Sequence, residues 1–332
     1  MKKGKDMLDK IRAVKERIER FRFQSQAHQI RSIQPIQYTP DPNVAILTMV
    51  GHDTLNMYLI AVASFMRQFG YGTIEVLDDG TLDDDDIAVL TRIIPLVRIT
   101  KACDIETHGC PTYSSWKRLF RVLQLVENAY VIQLDSDIVA MKPLTEIHEK
   151  VKHNHGFAAG SAAWPEPVDV HFLDGIVKQW NNNHVQSCAE RIFKHLDYFK
   201  GGTRYLRGCA GFCGYPKGSF NLDQICALSN EIASHIGAEK WASWGSEQTA
   251  TLCLLSKSEK PSILPWPHYQ NFLFPTSNEP TDAMKLIHFI GSNRFKRNDY
   301  RKLAQQVINN QPMCPEAQRS APLLNRISNA LP

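Results

Sequence analysis

Short apolar runs alternate with longer amphipathic segments through the first half of the chain. An apolar run of about four to eight residues between turn residues is typical of a buried strand, whereas apolar positions three and four residues apart are typical of a helix. This pattern predicts strands at 44–49, 73–77, 96–99 and 130–134, and helices at 55–69, from Asp83 onward and at 114–127. The alternation predicts an α/β fold with a mainly parallel, twisted sheet flanked by helices.

The alternation weakens after Pro143, where residues 150–220 are rich in Gly, Asn, His and aromatic residues. Such a composition suits binding loops. Helices are predicted again near 221–235, 247–255 and 299–310. Six rings in the stretch 157–215 either line an acceptor site or belong to the core, and both interpretations stay open: Trp164, His171, Phe172, Trp180, Tyr198 and Tyr205.

The first thirty residues follow a different pattern. Apolar residues recur there at spacings of three and four, with Lys and Arg between them, and predict one amphipathic helix. These residues are Met7, Ile11, Val14, Ile18 and Phe21. Residues 1–22 hold nine Lys or Arg against four Asp or Glu, a net charge of +5, whereas the whole chain carries +4. The helix either docks on the body or on a second subunit of a homo-oligomer, or it lies on an anionic membrane surface.

The composition of the 332 residues narrows the class of protein. A hydrophobic fraction of 43% and a charged fraction of 22% are ordinary for a globular protein, and the mild charge argues against a nucleic-acid partner. No apolar run approaches the roughly 20 residues of a membrane span, and the first residues lack a signal-peptide core. Eight scattered cysteines, with Cys209 and Cys213 as one close pair, favour reduced thiols in the cytoplasm over disulfides or zinc.

Two acidic segments are candidates for metal binding. Asp135 and Asp137 come directly after the predicted strand 130–134, and ligands of open α/β sheets bind at the carboxyl ends of strands. Both carboxylates can face one cation there, and hard oxygen ligands suit Mn²⁺ or Mg²⁺, although a solvated turn would show the same spacing. We interpret the run Asp83-Asp-Asp-Asp86 as a helix start, because acids there complement the helix dipole.

The residues around the acid pair resemble those of glycosyltransferases with the A-type, Rossmann-like fold, especially family 8. The matching segments, in order, are Trp116-Lys-Arg-Leu119, Leu134-Asp-Ser-Asp137 and Lys142-Pro-Leu144. The resemblance implies that Asp135 and Asp137 hold the metal and the donor diphosphate. It also implies that Arg118, or its neighbour Lys117, contacts the nucleotide sugar.

Leu286-Ile-His-Phe-Ile-Gly-Ser-Asn-Arg294 is similar to the His-Phe-x-Gly-x-x-Lys element of the same family. The similarity implies that His288 is the third metal ligand, that Gly291 lies at the donor, and that Arg294 contacts the diphosphate, with Lys296 as a second candidate. Arg stands where the family usually has Lys, and a guanidinium can bind phosphate through two hydrogen bonds.

Three further segments resemble donor-site elements. Gly208-Cys-Ala-Gly-Phe-Cys-Gly214 resembles an Asn-x-Gly segment beside the donor sugar, which places Gly211 there, with Cys209 where Asn is usual. Trp244-Gly-Ser-Glu-Gln248 resembles an Asp-Gln pair that opens a helix near the transferred sugar, so Glu247 and Gln248 are the catalytic candidates; an acid at a helix start is the alternative interpretation of Glu247. Asp78-Asp-Gly-Thr81 resembles a segment of family 2 transferases in which an acid, here Asp79, meets the base or ribose.

We therefore expect a metal-assisted glycosyltransferase that moves a sugar from a nucleoside diphosphate, with a UDP-linked donor favoured, to a hydroxyl of a saccharide, protein or lipid. Retention of configuration is favoured because family 8 members retain, and inversion stays the alternative because Asp78-Asp-Gly-Thr81 resembles a segment of an inverting family. The expected divisions are a basic helix (1–33), a linker (34–43), a transferase domain (44–310) and a tail (311–332). Residues 44–145 would bind the nucleotide, and residues 146–310 the donor sugar and the acceptor.

Three alternatives have less support. A nucleotidyltransferase would normally show a Gly-rich basic loop after the first strand, and Val50-Gly-His-Asp53 is not one. A phosphatase of the haloacid dehalogenase type would need a later Gly-Asp, which does not follow residue 137. A non-catalytic scaffold that binds sugar nucleotides would not need an intact set of metal ligands.

Overall fold

The computed structural model describes residues 2–274, 281–291 and 293–314, and the predicted strand–helix alternation is present throughout the first half. The strands are β1 Val44–Val50, β2 Thr73–Asp78, β3 Arg98–Lys101, β4 Tyr130–Leu134, β5 Ile138–Ala140, β6 Phe157–Ala159, β7 Cys209–Tyr215, β8 Ser262–Ile263, β9 Tyr269–Asn271 and β10 Leu286–His288. The α-helices are α1 Lys2–Ala27, α2 Leu55–Phe69, α3 Asp84–Ile93, α4 Ser114–Val126, α5 Thr145–Lys152, α6 Val170–Val177, α7 Val185–Glu190, α8 Leu222–Ile236, α9 Ala238–Trp241, α10 Ser246–Ser256 and α11 Asp299–Asn309.

The central sheet has seven strands in the order β3-β2-β1-β4-β7-β6-β8. The pairs β2–β3, β1–β2, β1–β4 and β6–β8 are parallel, whereas β7 is antiparallel to both of its neighbours. The predicted α/β fold with a mainly parallel sheet is confirmed. Because β7 runs opposite to β4, the start of β7 lies at the same edge of the sheet as the end of β4.

A second sheet of three strands, β5-β10-β9, lies next to that edge. Strand β10 pairs antiparallel with β5, so that His288 stands opposite Ile138. It pairs parallel with β9, so that His288 also stands opposite Asn271. The second sheet therefore brings β10 to the residues that directly follow β4.

Helices cover both faces of the central sheet and divide the core into two clusters of buried apolar side chains. Helix α2 belongs to one cluster and helix α4 to the other. The predicted inner face of α4, formed by Trp116, Leu119, Phe120 and Leu123, is buried. Such burial of apolar surface is the main favourable contribution to the stability of a fold.

Two parts of the chain differ from the prediction in the extent of their elements. The strand expected at 96–99 is Arg98–Lys101, because Leu96 lies in the preceding turn with an exposed side chain and the pairing with β2 begins at Arg98. The region 150–220, whose composition suits binding loops, also contains the strands β6 and β7 and the helices α6 and α7. Short elements of this kind carry too few turns to show a clear apolar period.

The N-terminal amphipathic helix is present as α1, followed by a 3₁₀ turn at His28–Ser32, but it docks by the face opposite to its apolar stripe. Phe23 is buried, and its ring stacks on Tyr300 of α11 at 4.3 Å between ring centroids. The Glu19 carboxylate accepts a hydrogen bond of 2.6 Å from Arg301. The five apolar residues of the predicted stripe are exposed, so they do not form the contact with the body.

The predicted tail begins in contact with the N-terminal region. Ile33 bridges Met313, and the Cys314 amide donates to the Ser32 carbonyl at 2.9 Å. The rest of the tail, from residue 315 on, lies outside the described residues. All eight cysteines are free. Among the described helices, none combines the length and the apolar character needed to span a bilayer.

Candidate functional site

Asp135, Asp137 and His288 come together at the carboxyl end of β4. Each offers one ligand atom, and these three atoms lie within 4.8 Å of one another. The His288 Nε2 atom is 3.2 Å from Asp137 Oδ1 and 3.5 Å from Asp135 Oδ2. The Asp135 amide donates to the Gly211 carbonyl at 2.8 Å, which continues the β4–β7 ladder past the end of β4. The residues predicted as metal ligands therefore form one cluster.

The orientation of the His288 ring is held from behind. Its Nδ1 atom lies 2.9 Å from Asn271 Oδ1, an acceptor, so Nδ1 carries a proton. Cys209 Sγ lies 3.5 Å from the same nitrogen. With Nδ1 held in this way, Nε2 is the ring nitrogen that faces the two carboxylates. Burial alone would lower the pKa of His288, but the charge of Asp137 raises that pKa well above 6.5. Fixing the second nitrogen in this way is the usual arrangement around a metal-ligating histidine.

Gly211 lies directly against the cluster. A Cβ atom at this position would stand 2.3 Å from His288 Cε1 and 2.9 Å from Asp135 Oδ2, closer than van der Waals contact allows. His288 is buried in the neighbouring sheet and has little room to move. Any larger residue at 211 would therefore displace the imidazole or the carboxylate.

Two arginines neutralise the carboxylates. Arg118 Nη1 donates to Asp135 Oδ1 at 2.5 Å, and Arg294 donates to Asp137 Oδ2 from Nη2 at 2.5 Å and from Nε at 3.1 Å. Burial alone would raise the pKa of Asp137, but the charges and hydrogen bonds of His288 and Arg294 outweigh it and bring that pKa to about 2. The Asp137 carboxylate is thus ionised, as a metal ligand must be.

Glu247 and Gln248 open α10, as predicted. Glu247 is buried, and Arg118 Nη2 lies 3.4 Å from its Oε1 atom. Burial raises the pKa of Glu247, while the charge of Arg118 opposes that rise. The Gln248 side chain accepts from the Ala210 amide at 3.4 Å and donates to Gln186 Oε1 at 3.0 Å. Arg118 therefore joins Glu247 to the cluster of Asp135, Asp137 and His288, and Gln248 approaches that cluster through its contact with β7.

The other predicted site residues form their hydrogen bonds with residues other than Asp135, Asp137 and His288. Asp79 is exposed after β2 and accepts from the Thr81 hydroxyl at 2.6 Å. Lys117 donates to the Ile105 carbonyl at 3.3 Å, away from its neighbour Arg118. Lys296 donates to Asn293 Oδ1 at 2.6 Å, and Gly291 lies in an exposed turn. Of the two alternatives at 117 and 118, the contacts place the arginine in the cluster.

A pocket adjoins the cluster through Arg294. Its other walls include Arg20, Phe23 and Gln24 of α1. They also include His52 and Asp53 from the segment after β1. The pocket therefore lies between the N-terminal helix and the carboxyl edge of the central sheet.

The acidic run 83–86 forms a second group of candidate ligands, with His52, Asp83 and Asp86. Asp83 caps α3: its Oδ1 atom accepts from the Asp86 amide at 2.8 Å, and Asp86 completes a capping box. Asp86 is also bound by Arg31 at 3.2 Å and by His52 at 2.6 Å. The interpretation of the run as a helix start is confirmed.

Some contacts around the site carry no signal in the sequence. Asn271 belongs to a three-residue strand, and its role depends on pairing with β10.

Among the aromatic residues of 157–215, Trp164 and Trp180 enclose the Arg207 guanidinium at 4.7 and 4.8 Å, whereas Tyr205 is buried in the core. Trp164, Trp180 and Tyr198 are partly buried against the same core, whereas Phe172 is exposed. The lining of an acceptor site by these rings stays a prediction.

The fold is similar to solved structures of a galactosyltransferase. The galactosyltransferase LgtC in complex with donor and acceptor sugar analogues matches with a TM-score of 0.50 and 13% identity, covering 83% of this chain and 99% of that one. An active-site mutant of LgtC matches with a TM-score of 0.50 and 14% identity over the same shares. No protein-family model matches the chain, and no curated protein matches its sequence. The likeness confirms the predicted A-type glycosyltransferase fold.

Proposed function

We propose that the protein is a glycosyltransferase that moves a sugar from a nucleoside diphosphate to an acceptor hydroxyl, assisted by a divalent cation. The observation that carries this proposal is the position of His288 Nε2 against Asp135 and Asp137, with Nδ1 held by Asn271. The fold shared with a galactosyltransferase supports it. A uridine-linked donor and an acceptor hydroxyl on a saccharide, protein or lipid stay part of the proposal.

The residues fit Mn²⁺ or Mg²⁺. Two carboxylates and one imidazole nitrogen offer the oxygen-rich set that these ions take, and both ions leave positions for phosphate oxygens. When bound, such an ion supplies positive charge that stabilises a departing diphosphate. Arg118 forms an ion pair with Asp135, and Arg294 forms one with Asp137. Each of these charges therefore has an opposite charge beside it before a substrate binds.

Arg294, Asp79 and Arg118 are charged side chains proposed to contact the donor. Arg294 is partly exposed beside the pocket and offers further N–H groups to a diphosphate. The exposed carboxylate of Asp79 follows β2 at the same sheet edge, where it suits a ribose hydroxyl or a base. Gly211, Gly291 and Lys296 remain proposed donor contacts. Lys117 is the alternative to Arg118 as a contact of the nucleotide sugar, and it has less support because it donates to the Ile105 carbonyl.

Glu247 and Gln248 are the proposed residues near the transferred sugar. A carboxylate there would stabilise positive charge that develops on the ring, and Arg118 keeps Glu247 in a fixed orientation. On this arrangement residues 44–145 supply the two aspartates, and residues 146–310 supply Glu247 and His288. Retention of configuration remains the favoured outcome, and proton NMR of the anomeric signal of fresh product tests it: a β product from an α donor contradicts retention.

A thermal-shift screen of nucleotide sugars with and without Mn²⁺ tests the proposal. A donor at about 100 times its Kd stabilises the folded state by about 2.7 kcal/mol. We expect a uridine-linked donor to raise the Tm only with Mn²⁺, and the same donor to release nucleoside diphosphate when acceptors are added. The Asp137→Ala variant loses both effects, whereas the control Asp85→Ala, an exposed acid of the 83–86 run, keeps them. The absence of any shift contradicts the proposal, and binding without turnover indicates a scaffold.

A further inference from the structure

The outer face of α1 is an apolar surface that the body does not cover. We define it by Met7, Ile11, Val14, Ile18 and Phe21, whose exposed fractions range from 41% to 72%. Of the large apolar side chains described as exposed, half lie on this one face. Contiguous exposed apolar surface of this kind marks a site of interaction.

The geometry of the helix separates this face from the contact with the body. At 3.6 residues per turn, the five side chains fall within an arc of about 80°. Phe23 and Ala27, which are buried, fall on the opposite side, together with Glu19, which binds Arg301. The outer face therefore points away from α11, and no rearrangement of α1 is needed to make it accessible.

Basic residues flank the outer face on both sides. Lys10 and Arg17 lie along one border of the stripe, and Lys15 and Arg22 along the other, all with exposed side chains. The acidic Glu16 and Glu19 lie on the far side, towards the body. Residues 1–22 carry a net charge of +5, while the rest of the chain is close to neutral. The charge is thus arranged around the apolar stripe.

We propose that the outer face of α1 binds the surface of an anionic lipid bilayer. An apolar stripe flanked by Lys and Arg matches the boundary between acyl chains and negatively charged headgroups, with the helix lying in the plane of the interface. The apolar stripe would be buried at the membrane interface, and the basic residues at its borders would be attracted to the acidic headgroups. Each basic residue close to such a surface strengthens binding by about fivefold.

A second copy of the chain fits this face less well. The alternating spacings of four and three also suit a coiled-coil seam, in which the flanking positions of the two helices face each other. Those positions here are Lys10, Lys15, Arg17 and Arg22, so each pair would bring like charges together. A bilayer with acidic headgroups supplies the opposite charge.

Flotation with lipid vesicles tests the proposal with the full chain, in the absence of nucleotide and Mn²⁺, so the result is independent of the proposed transferase activity. We expect the protein to float with vesicles of phosphatidylcholine and phosphatidylglycerol and to stay unbound with phosphatidylcholine alone. High salt should weaken the binding, because it screens the basic borders.

Two sets of variants identify the surface that binds. Ile18→Ser with Phe21→Ser should abolish flotation, and Lys15→Gln with Arg22→Gln should weaken it by about 25-fold. Leu96→Ser, which removes an equally exposed apolar side chain from the body, should float as the unmodified protein does. Equal Tm values for these variants show that the fold is intact.

Three results would overturn the proposal. The unmodified protein stays unbound with the anionic vesicles, or Ile18→Ser with Phe21→Ser floats as well as Leu96→Ser, or light scattering without lipid shows a dimer that this double variant dissociates. The last result assigns the face to a second copy of the chain.

Discussion

Two groups of His and Asp residues in this protein satisfy the same test of proximity. In each group three ligand atoms lie within 4.8 Å of one another: His52, Asp83 and Asp86 at the start of α3, and Asp135, Asp137 and His288 at the end of β4. They differ in what else the side chains do. We call them the α3 cluster and the β4 cluster.

In the α3 cluster, the ligand atoms already serve the fold. Asp83 caps the helix, Asp86 binds Arg31 and His52, and the side chains of His52 and Asp83 are more than half exposed. In the β4 cluster, His288 Nε2 faces both carboxylates while its other nitrogen is held from behind. Proximity alone therefore does not distinguish the two clusters, whereas the orientation of the imidazole and the helix cap formed by Asp83 do.

The largest expected difference separates Asp137→Asn from Asp86→Asn. Loss of one charged ligand from the β4 cluster should lower transfer activity by about 100-fold or more, because a bound cation contributes several kcal/mol to the stabilisation of a departing diphosphate. Asp86→Asn instead weakens the contacts of a buried carboxylate with Arg31 and His52, and it should cost about 1–3 kcal/mol of folding stability with turnover retained below the Tm. Initial rates and urea denaturation of both variants measure the two effects. Equal losses of activity contradict the distinction.

An asparagine orients a side chain at each cluster, and removal of the asparagine at the β4 cluster should affect Mn²⁺ binding less than the loss of a ligand does. Asn271→Ala frees His288 Nδ1 and should weaken Mn²⁺ binding by about 10- to 100-fold. Asn56→Ala is the matched change near the α3 cluster, where Asn56 accepts from Arg31 at 2.7 Å. It should leave Mn²⁺ affinity unchanged. Calorimetric titration with Mn²⁺ provides the measurement, and an unchanged affinity in Asn271→Ala counts against His288 as a ligand.

The cap of α3 predicts an effect on stability alone. Asp83→Ala removes the acceptor of the Asp86 amide and should cost about 1 kcal/mol. Activity and Mn²⁺ affinity should not change at a temperature where the variant is folded. Urea denaturation measures the stability, and a loss of metal-dependent activity in this variant would give the α3 cluster a role beyond the helix start.

The smallest expected effect is the pH dependence of the contact between His52 and Asp86. The hydrogen bond to Asp86 and its charge raise the pKa of His52 above 6.5 in the folded protein. The contact therefore stabilises the fold fully below pH 6.5, and its contribution is lost as the pH rises through the raised pKa. The difference in unfolding free energy between the unmodified protein and His52→Gln should shrink from mildly acidic to alkaline pH. A difference that grows with pH contradicts this assignment.

Much of the β4 cluster could be predicted from the sequence. Arg118, Asp135, His288 and Arg294 lie far apart in the chain, yet motifs in the order typical of a known family identified them, and the structure brings them together. Asn271 could not be found in this way, because its role arises from the register of two short strands. A pattern of residue types carries no information on such pairing.

The N-terminal helix shows a second limit of prediction from the sequence. Its apolar period predicted a helix correctly, but the docking face is formed by Phe23 and Ala27 rather than by the regular stripe. Periodicity shows which side chains share a face, not which surface that face meets. The strand β3 shows the same limit: Leu96 is apolar and exposed, and the pairing with β2 decided where the strand begins.

One measurement tests the central claim most directly: titration of Mn²⁺ followed by the electron paramagnetic resonance signal of the free ion, on the unmodified protein, His288→Ala and His52→Ala, each with uridine diphosphate. The account predicts that the unmodified protein and His52→Ala bind one ion with the same affinity and that His288→Ala does not. Retained binding in His288→Ala, or a loss confined to His52→Ala, would contradict the assignment of the metal to Asp135, Asp137 and His288.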